Sequence, residues 1–467
     1  MTFNLIVLFK YTIILIICLI ILPYYGYCKP MEKMDILIKN SSIVLTMNNN
    51  QEVLRESNIG IKDKKIAYIG KDDNLLAEQY IDASGKIVLP GFVNTHTHVP
   101  MSIFKGVADD LPLDVWLNDY IWPLESKYMD KETVYKASLA GIAEMIHSGI
   151  TTFNDMYFFE NEVARAAYEA SVRAVVSETL MDGQTVNSKN SVDGLAYSEW
   201  LINKWENNDL INVGVAPHAP YTASRDLLIK AKELANRYGV LYHIHLSETK
   251  NEYDSIKKEY NTTPVEYLDN LGVLDKLTMA AHVVYVEKND FDILKNRKVS
   301  ISHNPESNMK LASGISPVYG MLRHGINVSF GTDGVASNND LDFFDTMDIA
   351  AKLQKVYYMD PVALNAQDVV MAATLGGAKA LNLEKYIGSI EVGKLADVII
   401  LNIDDIHAIP VYNPFSQIVY TLNPADVSYS IINGKIVMAK GKILTIDEEA
   451  IKESIIEIQK FILNDLQ

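Results

Sequence analysis

Thiols are almost absent from this chain of 467 residues: its two cysteines, Cys18 and Cys28, both lie in an apolar N-terminal stretch. From Lys29 onward no residue can form a disulfide framework, act as a cysteine nucleophile or ligate zinc through sulfur, which excludes a His/Cys/Cys zinc centre. Positive charge is also scarce. Forty-two Lys and Arg face fifty-nine Asp and Glu, a formal net charge of −17, so nucleic acid and anionic membrane surfaces would be repelled. A neutral small-molecule partner is untouched by that argument. No lysine ends the fourth or fifth strand-like run of the central region, so a lysine carboxylated to bridge two metals is excluded and one metal is expected.

The length allows a large α/β domain with a smaller companion. Its apolar fraction of 48% and charged fraction of 22% are ordinary for a globular enzyme. Tyr11–Cys28 is uncharged and apolar, and reads as a secretory signal or membrane anchor. A start at Met31 or Met34 is the alternative. Residues 1–33 are therefore expected to be a targeting segment or a mis-assigned start. The protein is exported or tethered through residues 11–28 in the first case and cytoplasmic in the second.

Residues 34–89 break into short β-like runs: Ile36-Leu-Ile-Lys-Asn, Ile43-Val-Leu-Thr, Asn58-Ile-Gly-Ile, Lys65-Ile-Ala-Tyr-Ile and Lys86-Ile-Val-Leu. The texture returns over 389–446, with Asn433-Gly434 as a hairpin turn. Both ends of the chain are expected to pair into one small β-sandwich, with a C-terminal helix over 447–467. Over 90–388, apolar strand-like runs alternate with helix-period segments such as Lys131–His147 and Ser224–Tyr238, which predicts a (β/α)8 TIM-like barrel. Its strands should end near His98, Asp155, Glu178, His218, His245, His282, His303 and Asp333. Active sites are built on that rim.

His96 and His98, in Pro90-Gly-Phe-Val-Asn-Thr-His-Thr-His98, stand at i and i+2 on a strand and so share a face. His245, in His243-Ile-His-Leu-Ser-Glu248, is the natural third nitrogen ligand, and Asp333 in Phe330-Gly-Thr-Asp-Gly334 the fourth. The flanking glycines let the backbone approach there. His243 lies one layer deeper and reads as a core histidine; Asp155 is expected to support the ligands from behind. Glu248 is placed to shuttle protons and His282 to hydrogen-bond the attacking hydroxide. Trp116, Tyr120 and Trp122 either stack on substrate or pin a long loop. His303, Ser307 and Asn308 are expected to line the pocket. His147, His324 and His407 read as surface residues.

These motifs, with His303-Asn-Pro-Glu-Ser-Asn-Met-Lys-Leu-Ala-Ser-Gly314, Gly331-Thr-Asp-Gly-Val-Ala-Ser-Asn-Asn339 and Gly388-Ser-Ile-Glu-Val-Gly-Lys-Leu-Ala-Asp397, resemble the amidohydrolase superfamily from Asp35 to about Gly441. The branch most similar is that of the 5-methylthioadenosine/S-adenosylhomocysteine deaminases, whose long loop after strand one is echoed by Phe104–Glu125. The resemblance implies one Zn2+ per subunit on His96, His98, His245 and Asp333, with Fe2+ or Mn2+ as alternatives. It implies Glu248, His282 and Asp333 as catalytic residues, and Glu125, His218, Glu248 and Asp333 as contacts to a purine nucleoside. Glu125 would hold the ribose hydroxyls, since a carboxylate accepts two hydroxyl hydrogens at once. The implied reaction is metal-hydroxide attack on C6 of a 5′-substituted adenosine, giving the inosine analogue and ammonia. A homo-oligomer is the expected assembly.

One departure bears on substrate. Where this branch commonly carries an arginine after strand three, the chain has Glu178-Thr179. An acid there would repel the amino-acid carboxylate of S-adenosylhomocysteine, which favours 5′-methylthioadenosine, 5′-deoxyadenosine or adenosine. A guanine or triazine deaminase, or a chlorohydrolase of the same superfamily, is the runner-up, though a ribose clamp has no purpose for a bare base. A membrane-tethered purine-binding pseudoenzyme is the non-enzymatic alternative, and it has no need of Glu248.

Overall fold

The computed structural model describes residues 33–466; the N-terminal apolar stretch lies outside them. Five strands come first: β1 (Met34–Leu45), β2 (Val53–Lys62), β3 (Lys65–Gly70), β4 (Ala77–Asp82) and β5 (Lys86–Pro90). The first two expected strands are in fact one. Asn40 takes a left-handed conformation (φ 58°), shifting the β1–β2 register between Ile38 and Ser41 without ending the strand. Asparagine tolerates that conformation, and the irregularity bends the strand.

The barrel follows: β6 (Phe92–Thr97), β7 (Ile150–Tyr157), β8 (Arg173–Leu180), β9 (Ile211–Val213) with β10 (Ala216–Pro217), β11 (Tyr242–Leu246), β12 (Thr278–His282), β13 (Ser300–His303) and β14 (Asn327–Phe330). All neighbouring pairs run parallel. Single bridges, Val215 with Tyr242 and Thr97 with Asp333, join the two arcs into a closed ring of eight strand positions. Every residue of β7 and β8 is buried, because helices cover the outside and side chains fill the inside. The fourth position is split at Gly214, where an added Cβ would come within 2.5 Å of Ser177 Oγ. Helix Lys131–His147 is N-capped by Asp130, and helix Arg225–Tyr238 by Ser224.

The chain then returns to the first sheet through β15 (Val398–Asn402), β16 (Val427–Ile432), β17 (Lys435–Ala439) and β18 (Lys442–Ile443). The hairpin between β16 and β17 turns at Asn433-Gly434, both with positive φ. β15 pairs antiparallel with β5, making one nine-stranded sheet from both chain ends. Its own core gathers Ile36, Ile38, Ile59, Ile81, Val88, Val398, Ile400 and Ile431. Helix Glu448–Leu466 closes the chain against helix Lys131–His147. Among the described residues, no helix is long and apolar enough to cross a membrane.

Candidate metal and nucleoside site

The eight strands deliver their polar residues to one mouth. Ligand atoms of His96, His98, His245 and Asp333 all lie within 4.8 Å of one another. Asp333 Oδ1 is 3.3 Å from His96 Nε2 and 3.2 Å from His98 Nε2. The second nitrogen of each imidazole is already committed. His98 Nδ1–H donates to the Met156 carbonyl at 2.5 Å, and His245 Nδ1–H to the His218 carbonyl at 2.8 Å. His96 Nδ1 faces His243 Nε2 at 2.8 Å. Each ring is thereby oriented with Nε2 turned to the cluster.

His96 Nε2 is fully buried with no hydrogen-bond partner. A buried imidazole nitrogen left orphaned beside two others and a carboxylate is the donor set of a divalent cation, so the residues present fit one. Burial alone would neutralise Asp333, but the imidazoles at His96, His98 and His282 hold its carboxyl well below the usual range. Burial pushes His96 down to about 4. Burial also opposes charge on His98, yet its bonds to Asp333 outweigh this and raise it to about 9.

Glu248 and His282 stand beside the cluster. His282 Nε2 is 3.8 Å from Glu248 Oε2 and 3.7 Å from Asp333 Oδ2. Burial raises Glu248 above the ordinary glutamate range. His282 Nδ1 lies 2.8 Å from Asn308 Oδ1, an acceptor, so Nδ1 carries the hydrogen. His282 Nε2 is then an acceptor on the side of Glu248 and Asp333, with the Asn304 amide nitrogen 3.4 Å away.

Glu125 closes the opposite wall, buried, with Tyr157 OH donating to its Oε1 at 2.6 Å and no protein partner on Oε2. Burial pushes it up to about 7, against the pull of Tyr157 and His98. His218 Nδ1–H donates to Thr222 Oγ1 at 2.8 Å, leaving Nε2 as an acceptor; burial keeps the ring neutral, down to about 3. Glu125, His218, Glu248, His282 and Asp333 all line one cavity of about 60 Å3 with Trp116 and Trp122. Leu113, Leu117, Trp122, Tyr221 and Leu311 separate it from an outer cavity of about 670 Å3.

Two expectations need correction. Glu178 does not face the cavity: it is buried in the barrel wall, accepting from Glu160 N–H at 3.1 Å and the Asn187 amide at 2.9 Å. Thr179 and Met181 line the cavity in its place. His303 and Ser307 do not line it either; His303 is sealed behind the wall beside Phe330, and Asn308 acts only through His282. Tyr120 lies outside the cavity lining that contains Trp116 and Trp122. His243 is the expected core histidine, and Asp155 braces the site by accepting from Val99 N–H at 2.7 Å. His147, His324 and His407 stand away from the cavity, with Nε2 2.8 Å, 2.8 Å and 3.0 Å from carboxylate oxygens of Glu448, Asp292 and Asp426. Sequence reasoning missed Tyr157, although a period-2 reading of its strand from Asp155 reaches it.

The model of the Amidohydrolase family matches residues 87–437. The chain belongs to this family. Among amidohydrolase relatives, it is 42% identical over 428 residues to a 5-methylthioadenosine/S-adenosylhomocysteine deaminase of Syntrophobacter fumaroxidans, covering 91% of this chain and 97% of that one. It is 45% identical over 426 residues to a 5′-deoxyadenosine deaminase of Methanothermobacter thermautotrophicus, covering 89% and 97%. Among solved amidohydrolase structures, an adenosine deaminase from Xanthomonas campestris with bound zinc superposes with a TM-score of 0.91 at 33% identity, covering 93% of this chain and all of that one.

Proposed function

We propose that this amidohydrolase removes the 6-amino group of a 5′-substituted adenosine, with His96, His98, His245 and Asp333 holding one zinc ion. The observation that carries this reading is a single cavity with the His/Asp cluster and Glu248 on one side and the half-satisfied Glu125 on the other. The bound cation supplies Lewis acidity, making water a nucleophile near neutral pH. Water adds at C6 of the adenine as Glu248, whose carboxyl burial pushes toward the protonated form, delivers a proton to the adjacent ring nitrogen. His282 Nε2, lacking a hydrogen, accepts one from the incoming oxygen and orients it. The C6–N bond then breaks as the amino group takes the proton held by His282 and the C6 hydroxyl returns one to Glu248; ammonia leaves and the inosine analogue remains. Glu125 Oε2 accepts from the ribose hydroxyls, and His218 Nε2 accepts a further nucleoside hydrogen.

No lysine or arginine lines the inner cavity, while Glu125, Glu248 and Asp333 do. Within the inner cavity a 5′ group bearing a carboxylate would lose its hydration without gaining a cation, and the lysine of the outer cavity, Lys250, is already paired with Asp254. This supports 5′-deoxyadenosine, 5′-methylthioadenosine and adenosine over S-adenosylhomocysteine. The test is ammonia release from these four nucleosides, with guanine and a triazine as controls, by zinc-loaded protein. We expect kcat/KM for S-adenosylhomocysteine about tenfold or more below that for 5′-deoxyadenosine. Ammonia from the bare heterocycles alone would overturn the nucleoside reading.

A further inference from the structure

Glu248 must point at a substrate ring nitrogen, yet its carboxylate accepts no hydrogen bond among the described residues, and His282 Nε2 stands 3.8 Å away. Its aim therefore depends on its backbone. Two N–H groups of that backbone are held by one side chain. Both carboxylate oxygens of Glu252 are used on the turn that carries Glu248: Oε1 accepts from Ser247 N–H at 2.8 Å and Oε2 from Glu248 N–H at 2.8 Å.

The arrangement departs from an ordinary helix start. Thr249 caps helix Lys250–Tyr260 by accepting from Glu252 N–H at 3.1 Å. In a usual capping box the glutamate at this position would bond back to the N–H of the cap residue itself. Here it reaches past Thr249 to the two residues before it. Ser247 needs that support, because it sits at φ 53°, a left-handed conformation that a serine adopts at a cost. The Ser247 carbonyl is held in turn by Val284 N–H at 2.9 Å and Tyr285 N–H at 3.1 Å, and Ser247 Oγ donates to the Tyr285 carbonyl. Glu252 is itself only 4% exposed, so no water competes freely for these bonds.

We propose that Glu252 is the positioning residue of the proton shuttle, fixing the Ser247–Glu248 turn so that the Glu248 carboxyl faces the purine ring. The proposal rests on Glu248 being the shuttle. Glu252 lies outside the lining of the inner cavity and outside the His/Asp cluster, so its loss should act on the proton-transfer step while leaving nucleoside and metal binding in place.

The experiment compares Glu248→Gln, Glu252→Gln, Glu252→Asp and the double variant Glu248→Gln/Glu252→Gln, each zinc-loaded, reading kcat, KM for 5′-deoxyadenosine, zinc content and Tm. Glutamine keeps one acceptor and turns an amide against the second N–H. Glu252→Gln is expected to lower kcat on the order of tenfold to a hundredfold, with KM and zinc content within about twofold of the parent. If Glu252 acts only through Glu248, the double variant is no slower than Glu248→Gln alone. A Glu252→Gln enzyme with undiminished kcat overturns the proposal, as does a double variant in which the two losses multiply. Loss of zinc or of the fold in both Glu252 variants assigns Glu252 a structural role and equally overturns it. Full activity in Glu248→Gln would instead sink the shuttle reading itself, a separate outcome.

Discussion

At the scale of single residues, the two carboxylates of the cavity are set apart by what surrounds them. Asp333 is ringed by imidazoles and held ionised, whereas Glu248 is buried with one imidazole at 3.8 Å and is raised. Two acids in one pocket are therefore pushed in opposite directions, Asp333 toward the ionised form and Glu248 toward the protonated one, which suits the separate roles proposed for them. Replacing Glu248 by glutamine keeps the shape and removes the transferable proton. We expect kcat to fall by about 10²–10⁴-fold, with zinc content unchanged by metal analysis, because Glu248 is outside the ligand cluster. A variant that kept its rate would mean that the proton comes from elsewhere. Of the residues gathered at the site, His96, His98, His245, Glu248, His282 and Asp333 were legible from sequence, because strand period and motif spacing place them on the rim. The parts played by Tyr157, Asn308 and Glu252 were not, since each acts through a hydrogen bond to another residue's side chain or backbone, a pairing that no spacing rule encodes.

Elements converge on the site through close backbone approach at the ends of β6 and β14. Gly331 follows β14, and an added Cβ there would stand 2.8 Å from His96 Cβ, 2.7 Å from Ser302 Oγ and 2.5 Å from Asn304 Oδ1. Two of these neighbours are short side chains and one is the first atom of a metal-ligating side chain, so none can swing clear. The same approach brings Asp333 N–H to the His96 carbonyl at 3.0 Å and closes the barrel between its first and last strands. Gly331→Ala should therefore push β14 away from β6 and separate Asp333 from His96. We expect zinc content well below one per chain under conditions that saturate the parent, and kcat lost in proportion. Full occupancy, measured after gel filtration in metal-free buffer, would show that the strands can part without cost to the site. The sequence pattern anticipated all eight strand ends within a few residues. It could not show the split at Gly214 or the fusion of the first two runs into β1, because each depends on what lies beside the backbone in space.

For the whole molecule, the barrel and the sheet formed from both chain ends are fastened at the barrel's foot, away from the rim that carries the chemistry. Arg173, the first residue of β8, places Nε 2.7 Å from Asp397 Oδ2 and Nη2 3.1 Å from Asp397 Oδ1, while Nη1 donates to the Asp209 carbonyl at 2.8 Å. Asp397, just before β15, also accepts from Asn433 N–H at 2.7 Å, and its carbonyl accepts from Gly91 N–H at 3.0 Å where the chain enters the barrel. Arg173 and Asp397 are 3% and 2% exposed, so neither charge has water to fall back on if the other is removed. A surface pair of the same geometry would contribute under about 1 kcal/mol. Here, Asp397→Ala strands a buried guanidinium and a backbone N–H, and should cost about 3–5 kcal/mol of unfolding free energy. Asp397→Asn, which keeps an acceptor for Arg173 and Asn433, should cost less. Because the knot is at the opposite end of the strands from His98 and Asp333, kcat per folded, zinc-loaded molecule should stay within about twofold in both variants, since sites with no shared partners behave independently. Denaturant unfolding with parallel ammonia-release assays separates the two effects. A stability loss no larger than that of a surface pair would mean that this ion pair does not fasten the sheet to the barrel.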